Sequence, residues 1–498
     1  MIKHYITLIL VLICSDLEAQ NWTFDYHDGY PAGRTSLITG FVDEDGVTFL
    51  AGRQGPDRFS PQTLLMRIEP DGTHAETIYQ KDGFFSEATS ILETDDHHLF
   101  VAGRSFNDQG DSLMILLYDK DLNLLRDRRF DIEIERRKIM DCRTVLDPHG
   151  NIILTTAAEQ ENQYGGYFDY GAFYKFNRQG ELICHRCLLG EEPEPESYLT
   201  DFIVRQLWYQ EEDETILCLV PGYGQIMSFI TFDSAFNYLQ EYPIYNDERF
   251  ENTPHRDCYI DYWYNPEEAL LFSSEGWEDH NHLRISRINT HGAYLDYIHF
   301  HEHPDSLDNA AWYRCMAVPN DTTFYFNSYR HTVPYLPGIS IVYLLNERLE
   351  LIGNYVDDQH DRFRTRLVLP TPDGGCITVN DSCDRQDQVV RTSQPRITKI
   401  KREDFTMANL SVSQDSQGQA PPYPNPTEHL LFIPLSDLDF TTGRLRVFDQ
   451  RGLPVMDRII HRTDEMLQLD VSNLKKGLYY YQIYTDDRTL LTERFIKN

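Results

Sequence analysis

A unit of about 55 residues recurs seven times between residues 30 and 410, and this repetition constrains the chain more than any other feature. Each copy opens with a short apolar strand, then a tight acidic or glycine turn, then a second apolar strand. A variable loop leads to a third strand that ends on an aromatic or aliphatic residue. The third-strand anchors are Ile68, Tyr118, Phe176, Phe232, Ile288, Leu345 and Ile400. Their successive spacings are 50, 58, 56, 56, 57 and 55 residues. The first-strand anchors Leu37, Ile91, Val145, Ile203, Tyr259, Met316 and Leu367 keep the same beat.

The residues after the third-strand anchors are Glu69, Asp119, Asn177, Asp233, Asn289, Asn346 and Lys401. Five of the seven are Asp or Asn, whose short side chains accept backbone amides and open turns. Gly72, Gly180 and Gly292 fall four residues after their anchors, where glycine adopts a positive φ without steric cost. Four strands in so short a unit leave no room for helices. The expected fold is all-β: a seven-bladed β-propeller over residues 20–410, followed by a small C-terminal β-sandwich. Asn21 to His27 (NWTFDYH) is placed to add a strand to the last blade and lock the ring.

The first twenty residues, MIKHYITLILVLICSDLEAQ, combine Lys3, an apolar run from Tyr5 to Cys14 and the small Ala19. That reads as a signal peptide over residues 1–19. The run is too short to span a bilayer, and no later stretch is long and apolar enough to do so. Ile13 is not the small residue a lipid anchor on Cys14 would need. Eight further cysteines are too few for a disulfide-stapled scaffold. Cys184-His185-Arg186-Cys187 lacks the second pair a zinc site needs and reads as strand-edge thiols or a local disulfide.

After Leu410 the rhythm stops. Residues 411–424 are rich in Ser, Gln and Pro and read as a linker. Residues 425–498 then show alternating apolar strands around the turn Asp449-Gln450-Arg451-Gly452. Tyr423-Pro424-Asn425-Pro426 stands before them, and Val447 to Val455 (VFDQRGLPV), Leu469 to Leu474 (LDVSNL), Gly477 to Tyr481 (GLYYY) and Arg494 to Lys497 (RFIK) follow in order. These motifs resemble the type A C-terminal sorting domain of proteins exported by the type IX (Por) secretion system of Bacteroidota. The resemblance rests above all on Pro424, Asn425, Pro426, Gly452, Gly477 and Lys497. It implies the type IX machinery as a partner and an extracellular or outer-membrane-surface destination.

Net charge separates the parts. The chain carries 79 acidic and 45 basic side chains, for −34 overall. Residues 421–498 and residues 1–19 each sum to −1, so the repeat region and linker hold −32. Such a surface excludes nucleic acid or an anionic membrane as the main partner.

In a propeller the first strands run parallel, so their leading residues meet around one mouth. Arg34, Arg143, Arg256, Arg314 and Arg364 lie two or three residues before their anchors, with Glu87, Asp141, Asp201 and Asp257 in the same register. They are the candidate ligand-binding rim, foremost the five arginines with Asp141 and Asp257, because arginine forks grip carboxylates. The plainer account is that such pairs stitch neighbouring blades. His299, His301 and His303 alternate beside Asp305, as a metal would require, but they enter a loop and are read as solvated. No cofactor is evident; structural calcium is the one ion left open. No nucleophile elbow, HExxH helix or phosphate loop is present. The function read from sequence is a secreted or surface module for glycan or protein ligands. The alternative is a polysaccharide-active hydrolase or lyase at the channel mouth.

Overall fold

The computed structural model describes residues 21–26, 34–57, 59–108, 110–131, 137–161, 167–187, 204, 206–221, 227–244, 255–265, 268–277, 280–289, 291–300, 306–310, 316–320, 323–332, 339–346, 349–357, 363–386, 389–407, 427, 429–435, 440, 442–449, 454–461, 466–485 and 489–497. The signal-peptide segment, the linker, Ile203, Arg314, Pro424 to Pro426 and Gly452 lie outside them. The chain divides into two units: residues 1–342 with 356–402, and residues 343–355 with 403–498.

The first unit is built from consecutive antiparallel sheets, as the repeat requires. Sheet one is Ser36–Val42, Thr48–Gln54, Gln62–Ile68 and His74–Tyr79. Sheet two is Phe85–Glu93, Leu99–Asn107, Gly110–Tyr118 and Leu124–Asp131. Sheet three is Arg137–Leu146, Ile152–Glu161, Tyr167–Phe176 and Leu182–Cys187. Sheet four is Gln206–Gln210, Thr215–Pro221, Met227–Phe232 and Tyr238–Ile244. Sheet five is His255–Asn265, Glu268–Trp277, His280–Asn289 and Tyr294–Phe300. In sheet six the expected single first strand is two pieces, Ser306–Ala310 and Met316–Asn320, which both pair with Thr323–Thr332. Pro319 has no amide to donate, so the second piece pairs only at Met316, Ala317 and Asn320. Sheet seven is Phe363–Pro370, Cys376–Gln386 and Val389–Ile400, with Trp22–Asp25 as its outer strand.

Middle strands are buried on both faces and therefore read as unbroken apolar runs, such as Leu64-Leu65-Met66. Outer strands are largely exposed, as in His74–Tyr79. Cores form between successive sheets. Phe100, Leu113 and Ile115 of sheet two pack with Ile152, Leu154 and Phe176 of sheet three. Leu37, Leu50 and Leu64 of sheet one pack with Leu367, Ile377 and Val379 of sheet seven. Each first strand lies against the first strand of the next sheet, and that of sheet seven lies against that of sheet one.

The N-terminal strand fastens this last junction. Trp22 to Asp25 pair with Lys399 to Arg396 of sheet seven. Trp22 Nε1 donates to Pro70 O of sheet one at 3.1 Å, and Phe24 stacks on His74 of sheet one at 4.6 Å. Tyr26 Oη lies 2.9 Å from Gln54 Oε1, also of sheet one.

The turns after the third strands share one geometry. Asp119 Oδ1 accepts the amides of Asp121 and Asn123, and Asn177 and Asp233 repeat the pattern. The fourth residue after the anchor has positive φ at Gly72, Leu122, Gly180, Phe236 and Gly292.

In the second unit Gly353 and Asn354 pair with Met407 and Thr406. Its C-terminal part is a sandwich: Leu430–Pro434 pairs with Met466–Asp470, and a four-stranded sheet orders Pro454–His461, Thr442–Asp449, Gly477–Tyr484 and Thr489–Lys497. Leu431, Ile433, Leu445, Val447, Tyr481, Ile483 and Phe495 fill it. Pro434 closes its strand opposite Met466. Among the described residues no helix is long and apolar enough to cross a membrane.

Candidate functional site

The first strands of sheets one, two, three, four and seven surround a cavity of about 290 Å³. Hydroxyls and an amide dominate its polar lining: Thr39, Thr89, Ser90, Thr144 and Gln206. Ser90 Oγ and Thr144 Oγ1 are hydrogen-bonded at 2.6 Å across the junction of sheets two and three. Arg143 and Glu93 supply the charged lining, and Ile38, Phe41, Ile91, Leu92 and Leu367 the apolar part. Glu93 Oε1 is held by Lys120 Nζ at 2.9 Å and His97 Nδ1 at 2.6 Å. Lys120 also reaches Asp43 Oδ2 at 2.8 Å, tying the turn of sheet one to sheet two.

Turn chemistry fixes where the lining strands end. Asp147 Oδ1 accepts the amides of His149 and Asn151 at 2.9 and 2.8 Å, while its Oδ2 meets Lys175 Nζ at 2.9 Å. Burial pushes this carboxyl up, but the Asn151 amide and Lys175 outweigh it and hold it below the usual carboxylate range. Asp373 is likewise lowered, by Thr371 and Lys399 acting against burial.

At the opposite end of the first strands stands an ion cluster. Glu87 Oε2 meets Arg53 Nη1 of sheet one at 2.6 Å, and its Oε1 meets Arg104 Nε of its own sheet at 2.5 Å. Arg104 Nη1 lies 3.6 Å from Asp111. At the junction of sheets seven and one, Arg366 Nη2 meets Asp381 Oδ2 at 2.6 Å, and Ser36 Oγ donates to the same oxygen at 3.1 Å.

The rim residues do not share one level: Glu87, Asp141, Arg256, Asp257 and Arg364 stand in the leading half of their first strands, Arg143 in the trailing half and Arg34 before its strand. Counted back from the residue opening the following turn, Glu87 and Arg364 stand seven residues up, Asp141 six, Arg143 four and Arg34 nine. That spread is about 17 Å of strand. Arg143 lines the cavity; its Nη1 donates to Cys142 O at 2.9 Å, and its Nη2 lies 3.7 Å from Asp141. Arg34 precedes its strand, its amide bonded to Gly55 O. Arg256 and Asp257 lie on the first strand of sheet five and Arg364 on that of sheet seven, opposite Asp381; their side chains lie outside the described residues.

Arg53 and Arg104, absent from the sequence-based rim, carry the pairing with Glu87. Their signal was available: Ala51-Gly52-Arg53 and Ala102-Gly103-Arg104 occupy the same place on the second strands of sheets one and two. Among the described residues no three His, Cys, Asp or Glu side chains come together as a metal-holding group. Of the sequence-selected histidines, His299 is the next-to-last residue of an outer strand, while His301, His303 and Asp305 lie outside the described residues. Cys184 is exposed and Cys187 half-buried on the outer strand of sheet three. Three residues of extended strand separate them by about 10 Å, beyond the reach of a mutual disulfide. They are strand-edge thiols.

In the C-terminal sandwich the structure sets Gly477 directly opposite Lys497. Thr427 bridges to Lys497 in parallel, with its amide bonded to Ile496 O. Thr427, the residue after the first motif, and the last motif therefore meet at one sheet edge.

No curated protein matches the chain. Among solved structures, a fungal alcohol oxidase of the AA5 family in complex with copper superposes with a TM-score of 0.45 at 10% identity, covering 96% of this chain and 99% of that one. An ulvan lyase of polysaccharide lyase family PL25 gives 0.47 at 7% identity, over 76% and 96%. A protein of unknown function from Dyadobacter fermentans gives 0.43 at 11%, over 65% and 97%. At these scores none bears on the chemistry of this chain. The family model described as "Secretion system C-terminal sorting domain" matches residues 422–498. Residues 422–498 are thus a C-terminal sorting domain of the type IX secretion system, which directs the chain to the cell surface or outside.

Proposed function

We propose that the seven sheets form a closed seven-bladed propeller that acts, after export, as a binding module for a hydroxyl-rich ligand, a glycan, in the central cavity. Residues 1–19 serve as its signal peptide, residues 20–410 as the cargo and 411–424 as the linker to the sorting domain. The hydroxyl lining of the cavity carries this reading. Thr39, Thr89, Ser90, Thr144 and Gln206 present donors and acceptors from three successive sheets and a fourth, with Phe41 and Leu92 alongside for the apolar face of a sugar ring. A volume near 290 Å³ admits one or two sugar rings.

The test is a glycan array probed with the full-length secreted chain, followed by titration calorimetry on the retained glycan. Ser90→Ala combined with Thr144→Val removes the paired hydroxyls while keeping their volume, and binding falls by about tenfold or more. Retention of no glycan, or unchanged affinity in that variant, refutes the reading. Release of reducing ends or of an unsaturated uronate during the titration assigns catalysis instead.

A further inference from the structure

Beside the cavity lies a guanidinium that the stitching of the sheets does not use up. Phe85 pairs with Phe106 and Glu87 with Arg104 across the first two strands of sheet two, so these four side chains share one side of it. Arg104 is held between Glu87, Asp111 and the Phe106 ring 4.6 Å from its Cζ. Arg53 is different. Among the described residues its one partner is Glu87, through Nη1, and its side chain is 36% exposed against 14% for Arg104. Its Nε and Nη2 edge remains available, and such an edge matches a carboxylate in a bidentate pair. Phe85, 39% exposed, stands two residues from Glu87 and offers an aromatic face. Glu87 is itself two residues, about 7 Å of strand, from Thr89 in the cavity lining.

We propose that Arg53 recognises the carboxylate of an acidic sugar, with Phe85 against the ring face, while the adjoining sugar places its hydroxyls in the cavity. The inference rests on the glycan reading above and names its ligand class: a uronate-containing glycan. Both Glu87 oxygens point at guanidiniums, which weakens its repulsion of such a ligand.

The experiment compares oligogalacturonate with its carboxyl-reduced counterpart, which has the same backbone without charge, on the full-length chain. The wild type binds the uronate about tenfold tighter than the reduced glycan. Arg53→Gln abolishes that difference and leaves the affinity for the reduced glycan unchanged; Arg53→Lys restores only part of it. Phe85→Ala weakens both glycans. Glu87 keeps Arg104 in the Arg53 variants, and a single cooperative urea transition with native tryptophan fluorescence verifies their fold. Equal wild-type affinities for the two glycans, or equal losses for both in Arg53→Gln, overturn the role of Arg53 and leave the cavity reading standing. Wild-type protein that binds neither, and no other glycan on the array, overturns both.

Discussion

Gly103→Ala adds one methyl group at the point where the ion cluster is positioned. In sheet two the pairing of the first two strands skips a residue between Ala88 and Ser90, and in sheet one between Leu37 and Thr39. These bulges bring the first strand onto the second. A Cβ on Gly103 would lie 2.0 Å from Glu87 O and 2.8 Å from Ala88 Cα, both backbone atoms. A comfortable carbon–oxygen approach is about 3.4 Å, so the strand carrying Glu87 must move by about 1.4 Å. Overpacking costs about 1–3 kcal/mol where side chains can yield. Here the obstacle is a hydrogen-bonded ladder, which puts the cost near the top of that range, about 3 kcal/mol. The same movement breaks a clamp whose two distances are 2.6 and 2.5 Å. Gly374→Ala is the control: nothing lies within 4 Å of its Cβ, and only its φ of +79° resists, at about 1 kcal/mol. Urea unfolding followed by tryptophan fluorescence should rank Gly103→Ala well below Gly374→Ala, with Gly52→Ala behaving like Gly103→Ala. Equal midpoints for Gly103→Ala and Gly374→Ala would show that the bulge does not hold Glu87 in place.

Trp22→Ala removes the indole packed on Gly72 and its bond to Pro70, costing about 2 kcal/mol for a half-buried aromatic; protease cleavage near residue 22 should accelerate. Phe236→Gly relieves a positive φ of 64° worth about 1 kcal/mol but empties a fully buried site worth about 3 kcal/mol, so the urea midpoint falls by a net of about 2 kcal/mol. Asp147 and Asp373 titrate below the usual carboxylate range when folded, so the unfolded chain binds more protons in the acid limb; their contribution is complete above about pH 4 and is lost as pH falls further. Asp147→Asn should flatten the fall in urea midpoint below pH 4. A thiol reagent followed by peptide mass spectrometry should modify Cys184 in the native state ahead of Cys142, Cys218 and Cys376, because burial pushes the Cys142 thiol up to about 11 and raises the other two as well.

The strand period and the sorting motifs were legible because each rests on local chemistry. The anchors Ile68, Tyr118, Phe176, Phe232 and Ile400 all end or nearly end third strands, and the aspartates and asparagines after them open the turns. Gly72, Gly180 and Gly292 have the positive φ their position required. Leu122 and Phe236 occupy the same place with the same φ, and nothing in their residue type announces it. Burial between sheets offsets the strain there, and burial is a property of the neighbour, not of the turn. The rim was harder to read for a similar reason. The sequence interval from Arg34 or Arg143 to its anchor ignores bulges and the distance to the following turn, and these set the height of each side chain. Arg53 and Arg104 sit on second strands, where a search confined to the leading ends of first strands does not look.

The cavity and the Arg366–Asp381–Ser36 set both lie at the junction of sheets seven and one. Leu367 of sheet seven and Thr39 of sheet one line the same space, and Asp381 holds Ser36 across that junction. The junction is fastened by residues 22–26, whose partners on sheet seven lie some 370 residues further along the chain, as with Thr23 and Thr398. Closing so long an interval costs loop entropy, and the −32 of the repeat region and linker opposes compaction. The fastening therefore draws on every available interaction at once: four paired residues, an indole bond to Pro70, a stacked Phe24–His74 pair, and Arg396 shared between Asp25 and Asp357. Arg396 is the pivot of that set, since burial acting on its guanidinium is more than offset by the two carboxylates. The shape of the cavity and the meeting of the first and last sheets are consequently one problem for this chain: Leu367, some 330 residues from Thr39 along the sequence, completes the lining that the first four sheets begin.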